Sequence, residues 1–162
     1  MKKIALLMAV LMLTLSLASC GLAGEKTFSA DGISITVKGF FTEQNDLAEG
    51  FNLILISPKA GVMILKETFT SLEAADLDTN MSVKEYASIV MKGNQLTGDP
   101  TEEDGLTYFT YTKTADGTDF TYMGFCFRST DAYWLVQIYC PTKDYASMKP
   151  DMMTWAKSVT FA

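Results

Sequence analysis

The chain contains no histidine. That removes the usual serine and cysteine triads and histidine-bound zinc, copper and haem. It has one arginine, Arg128, and no cluster of lysines, and its formal net charge is −6. Nucleic-acid binding needs clustered basic side chains, so that class of partner is excluded. No Gly-x-Ser-x-Gly elbow, glycine-rich phosphate loop or Cys-x-x-Cys pair occurs. No internal repeat, low-complexity tract or second domain is visible. Long apolar runs are also scarce, and the longest stands at the N-terminus.

Lys2 and Lys3 form a positive start. Residues 4–17 are apolar apart from Thr14 and Ser16. A transmembrane helix needs about 20 such residues, so this run suits the core of a signal peptide. It ends in Leu17-Ala18-Ser19-Cys20-Gly21. That pentapeptide resembles the lipobox of bacterial lipoproteins. The resemblance implies cleavage between Ser19 and Cys20 and a diacylglyceryl thioether on Cys20. An ordinary signal-peptide cut near Ala18 is the alternative. Two or more acyl chains anchor stably where one is marginal, at about 0.8 kcal/mol per buried methylene. The expected location is the extracytoplasmic face of a bacterial membrane, held by the lipid on Cys20. Gly21 carries no aspartate-type retention signal.

Removing residues 1–19 leaves 143 of the 162 residues, a single-domain length. Loss of Lys2 and Lys3 takes the net charge from −6 to −8. An acidic domain is repelled by anionic lipid, so the lipid and not a basic patch does the anchoring. Residues 20–25 read as a short lipidated tether and residues 26–162 as one folded domain.

Ile33, Ile35 and Val37 alternate with Ser34, Thr36 and Lys38, the period of a half-buried strand. Asp31-Gly32 is a turn before it, and Phe28 marks a hairpin partner. Two β-branched runs, 51–57 and 62–69, flank Pro58-Lys59-Ala60-Gly61 and predict a second hairpin. Residues 107–114, 118–128 and 133–140, rich in Tyr, Phe and Thr, predict a three-strand meander.

Ser82-Val83-Lys84-Glu85 is a capping box at a helix start. Val83, Tyr86, Ala87, Val90 and Met91 then share a face, and Gly93 is the expected left-handed terminator. A second helix is expected over about 143–158, with Tyr145, Met148, Met152, Trp155, Ala156 and Val159 on one face. Pro150 should kink it or restart it.

A two-residue tip at Thr130-Asp131 sets the register of the last hairpin. It places Phe127 opposite Trp134, Phe125 opposite Val136, Met123 opposite Ile138 and Thr121 opposite Cys140. The other face, with Phe120, Tyr122, Gly124, Cys126, Tyr133, Leu135, Gln137 and Tyr139, is also largely apolar. Both sides of the sheet must then be covered. Cys126 and Cys140 fall on opposite faces, too far apart for the 4.4–6.8 Å that a disulfide needs. Two buried free thiols are expected, and a bridge needs a different register.

Several patterns suggest chemistry and are better explained by structure. Asp76-Leu77-Asp78-Thr79-Asn80 begins like a calcium loop, but Met81 and Ala87 stand where glycine and glutamate belong. Glu102-Glu103-Asp104-Gly105 is an acidic turn. Met148, Met152, Met153, Met81 and Met91 could ligate copper(I), but helical spacing makes Met148 and Met152 core residues. Cys126 has no basic neighbour in sequence to activate it. No catalytic residue, metal or cofactor is expected. Tyr108, Tyr111, Tyr122, Tyr133 and Tyr139 crowd the meander, where cross-strand packing accounts for most such rings. They are the candidate binding surface.

The order of these pieces carries a family resemblance. An Ile-Ser-Ile-Thr-Val strand leads to Gly39-Phe40-Phe41. A hairpin, the Ser82-Val83-Lys84-Glu85-Tyr86 helix, the aromatic meander and a final helix ending Trp155-Ala156-Lys157-Ser158-Val159-Thr160-Phe161 follow. The mature chain resembles the PsbP/Mog1-like superfamily, which includes small bacterial lipoproteins of unknown function. The resemblance implies an α+β fold, a mainly antiparallel sheet with helices packed on both faces. It also implies a protein-binding module, here partnered by an unidentified envelope protein. An envelope carbohydrate or small-molecule binder is the alternative, and an enzyme is not expected.

Overall fold

The computed structural model describes residues 24–162. The signal peptide, the Ser19/Cys20 cleavage site and the lipid-bearing cysteine lie outside the described residues. Ten strands form two antiparallel sheets: β1 (Glu25–Ala30), β2 (Ile33–Lys38), β3 (Thr42–Glu43), β4 (Leu53–Ile56), β5 (Gly61–Thr68), β6 (Thr101–Glu103), β7 (Leu106–Ala115), β8 (Thr118–Arg128), β9 (Ala132–Pro141) and β10 (Thr160–Phe161). Among the described residues three α-helices accompany them: α1 (Phe69–Ala74), α2 (Val83–Gly93) and α3 (Tyr145–Lys157). The large sheet runs β3-β4-β5-β9-β8-β7-β6, and the small one β1-β2-β10. Glu25, the last residue of the expected tether, already pairs with Lys38 in β1–β2.

The register expected for the last hairpin is the one observed. Phe127 pairs with Trp134, Phe125 with Val136, Met123 with Ile138 and Thr121 with Cys140. The Ser129 N–H donates to the Ala132 carbonyl at 2.9 Å across the two-residue tip. β9 lies between β5 and β8, and every residue from Ala132 to Val136 is buried. One face of the sheet packs on the small sheet and α3. There Ile33, Ile35 and Val37 meet Val62, Phe125, Trp134, Ile138, Met152 and Trp155. The other face packs on α1 and α2, where Tyr86, Ala87 and Met91 meet Phe109, Cys126, Tyr133 and Leu135. Cys126 and Cys140 therefore belong to different cores, and both are free thiols.

The capping box is present as read. The Ser82 hydroxyl accepts from the Glu85 N–H, and the Glu85 carboxylate accepts from the Ser82 N–H. The helix stop differs from expectation. Gly93 stays helical, and Gln95 takes the left-handed conformation at φ 58°. Its N–H donates to the Lys92 carbonyl and the Leu96 N–H to the Met91 carbonyl, a Schellman closure. Leu96 packs on the α2 core, and this apolar contact holds a non-glycine residue at positive φ.

One further boundary is corrected, and one alternative is decided. Phe69 opens α1 and does not extend β5, because the Thr68 hydroxyl accepts from the Ser71 N–H and caps a helix there. The final helix continues through Pro150 with no restart. The hydroxyl of Thr154 donates to the Pro150 carbonyl within it.

Candidate functional site

The five tyrosines of the meander do not form one surface. Tyr108 faces the α3 core, is 5% exposed, and donates to Glu103 at 2.5 Å. Tyr133 is fully buried beneath α1 and α2. Its ring stacks on Tyr86 with centroids 4.6 Å apart, and its hydroxyl donates to the Met81 carbonyl. Both are packing residues.

Tyr111, Tyr122 and Tyr139 are brought together. Tyr111 pairs with Tyr122 across β7–β8, and Tyr122 with Tyr139 across β8–β9. The rings stack in a row, with centroids 4.9 Å apart at each step. All three are half-buried. The row continues onto β5, where Tyr139 pairs with Gly61.

The rings of this face lean in one direction, toward β5. A Cβ at Gly61 would overlap the outer atoms of the Tyr139 ring. A Cβ at Gly124 on β8 would stand 2.5 Å from Cζ of Phe109, which comes from β7. The Tyr111 hydroxyl reaches past β8 and donates to Oε1 of Gln137 on β9 at 3.0 Å. Two glycines thus make room for tilted rings, and the result is a shingled aromatic floor. Lys113 stands 5.7 Å from the Tyr111 ring centre. Phe120 meets Tyr139 edge-on at 6.0 Å. Beyond them, a groove of about 310 Å³ is lined by Ile56, Pro58, Ala60, Phe120, Tyr139 and Pro141.

This floor lies beside the part of the face that α2 covers. Eleven residues reach about 16 Å, enough to cover Tyr133, Leu135, Cys126 and Phe109. The next row, which holds the three tyrosines, is only half-buried, with Tyr111 at the margin of the α2 core. Burial raises the phenol of Tyr111 to about 12 and raises those of Tyr122 and Tyr139. At neutral pH the floor is therefore uncharged, apolar on its ring faces and edged with hydroxyl groups.

The other patterns resolve into structure. Asp76 occupies a left-handed position, and the Asp78 carboxylate accepts from the Asn80 N–H at 2.8 Å. Among the described residues, no cluster of three or more His, Cys, Asp or Glu could hold a metal. Asp104 and Gly105 are the positive-φ turn between β6 and β7. The acidic run is shared among lysines: Glu102 with Lys84, Glu103 with Lys149 and Asp104 with Lys157. Burial, with the charge of Glu67 secondary, pushes the Cys126 thiol far up. It is a poor nucleophile.

Four residues of this face were not among the candidate site residues, although alternation had already placed Phe120 and Gln137 on it. Phe120, Gln137 and Lys113 border the floor, and Glu67 sits with Tyr86 beneath α2. The hydroxyl of Tyr86 donates to the Glu67 carboxylate. The signal for Glu67 was present: it is a charge at an inward position of an alternating strand, in step with Met63 and Leu65.

No protein-family model matches the chain, and no curated protein sequence matches it. Solved structures do match, and they define the class: this is a PsbP-like fold. The cyanobacterial PsbP protein CyanoP of Synechocystis superposes with a TM-score of 0.55 at 13% identity, over 90% of this chain and 99% of its own. LpqN of Mycobacterium tuberculosis, described as involved in cell envelope biogenesis, superposes with a TM-score of 0.51 at 8% identity, over 88% and 92%. A protein of Bacteroides thetaiotaomicron gives a TM-score of 0.58 at 12% identity over 88% of this chain. This chain spans about half of that protein, 49%. The fold expected from element order is the fold observed.

Proposed function

We propose that this protein is a non-enzymatic accessory module of the bacterial cell envelope. In this reading it is anchored by a lipid on Cys20 and binds a protein partner through the floor of Tyr111, Tyr122 and Tyr139. The observation that carries the reading is the uncovered half of the α2 face, where three tilted rings and Phe120 stand in solvent range beside a covered core. Tyrosines supply rigid contact area with an apolar body and a polar tip, at little cost in rotamer entropy. The leader and the lipobox-like Leu17-Ala18-Ser19-Cys20 support the envelope location. The non-enzymatic reading rests on the missing histidine and on the burial of the thiol of Cys126.

The test is crosslinking in intact native cells with a tag after Ala162, followed by mass spectrometry. One envelope protein should be captured reproducibly and lost when Tyr111, Tyr122 and Tyr139 are changed to serine, with the domain still folded by circular dichroism. Capture that survives the triple change rejects the tyrosine floor as the contact. Cys20→Ser should release the protein from the membrane fraction and block its labelling by fatty acid; unchanged membrane retention rejects the anchor.

A second reading has one observation in its favour. The groove beside Tyr139, walled by Pro58, Phe120 and Pro141, has a volume of about 310 Å³, on the scale of a single sugar ring or similar small molecule. Glycan binding that is lost in Tyr139→Ser, with no protein captured, selects it.

A further inference from the structure

A cavity of about 330 Å³ lies between α2 and the large sheet, away from the tyrosine floor. Its walls are mostly apolar: Leu65, Leu72, Leu77, Met81, Val90 and Leu135. One carboxylate, Glu67, lines it from β5. A carboxylate offers about four acceptor positions. The Tyr86 hydroxyl occupies one of them, on Oε2. Among the described residues no lysine or arginine forms an ion pair with Glu67. Arg128 belongs to the same cross-strand row but lies beyond Tyr133. Its guanidinium stands over Phe69 and donates to the Thr79 carbonyl at 3.3 Å.

We infer that this cavity is a binding site for a small organic ammonium ion, whose apolar body fills the space under α2 and whose ammonium group pairs with Glu67. The chemistry selects this class. The walls favour an apolar body. The lone carboxylate favours a cation that donates charge-assisted hydrogen bonds. An anion meets like charge there. The phenol of Tyr86 is already committed as a donor, so it holds the carboxylate in place and leaves Oε1 for the ligand.

The experiment uses the full chain purified in a nonionic detergent. Three probes of one shape are compared by thermal shift and titration calorimetry: 2-phenylethylammonium, 2-phenylethanol and 3-phenylpropanoate. A ligand that binds only the folded state raises the melting temperature with concentration. The ammonium probe should do so at millimolar levels and the propanoate should not. The alcohol should bind at least about tenfold more weakly than the ammonium. Glu67→Gln should remove that difference. Val90→Trp, which fills the cavity from α2 and leaves the carboxylate untouched, should abolish binding of the ammonium, and it decides the matter if Glu67→Gln does not fold. No shift with the ammonium probe up to about 10 mM, or equal binding of the alcohol, overturns the site.

Discussion

The ring of Tyr139 lies flat across Gly61, on the neighbouring strand, in the space a side chain would take. The same relation holds between Phe109 and Gly124, one row closer to α2. The two pairs differ in what surrounds the ring. Phe109 is 4% exposed beneath the helix, whereas Tyr139 is half-buried at an open face. Gly124→Ala should therefore cost about 1–3 kcal/mol, the range for overpacking a core. Gly61→Ala should cost less than about 1 kcal/mol, because Tyr139 can swing outward. Urea midpoints of the two variants check the order. The second variant should also weaken partner capture, since it disturbs the floor.

The helix that covers half of this face depends on its first turn. Ser82 and Glu85 satisfy each other's backbone donors. Ser82→Ala should cost about 1 kcal/mol. Ser82→Asp should recover most of it, because a carboxylate also accepts at that position and suits the helix N-terminus. Thermal melts of the three proteins give the comparison.

Thiol chemistry follows from the separate cores. Cys126 is 2% exposed and Cys140 is fully buried. Burial raises the pKa of both thiols. In native protein at pH 7.5 neither should react with iodoacetamide over minutes, and in urea both should react without added reductant. One buried pair found oxidised in the denatured, non-reduced protein would contradict the observed register.

Alkaline stability has a defined sign. Burial, then the charge of Glu67, holds the Tyr86 phenol far above its ordinary value, and burial holds Cys126 up in the same way. The folded state keeps these protons where the unfolded chain gives them up. The stabilising contribution is thus complete below the unfolded pKa values, about 8.5 for Cys and 10 for Tyr, and is lost as pH rises beyond them. Urea midpoints should be flat from pH 7 to about 8 and fall steadily from about 9 upward. Tyr86→Phe should make that fall shallower. A midpoint unchanged at pH 10.5 would show that these groups are not buried as described.

Local signals carried much of this protein. The capping box, the Asp31-Gly32 and Thr130-Asp131 turns and the alternation of the meander each depend on neighbours a few residues away, so they are legible without a fold. The last hairpin's register followed from its tip alone, and with it the separation of Cys126 from Cys140. What stayed hidden was decided at longer range. Gln95 ends α2 in place of Gly93 because Leu96 finds an apolar seat on the core, and that seat is built by distant strands.

The same division applies to the candidate site. The sequence by itself determined which residues alternate onto each face, and so grouped Tyr122, Tyr133 and Tyr139 on one side. Only the tertiary structure decided that Tyr133 is roofed by α2 while Tyr122 and Tyr139 stay open, because the roof's reach depends on helix placement, not on strand periodicity. Pairing of β5 with β9 likewise brought Gly61 under Tyr139 and set Glu67 beside Tyr133 within reach of Tyr86. Those contacts join residues far apart in the chain, and no local pattern encodes them.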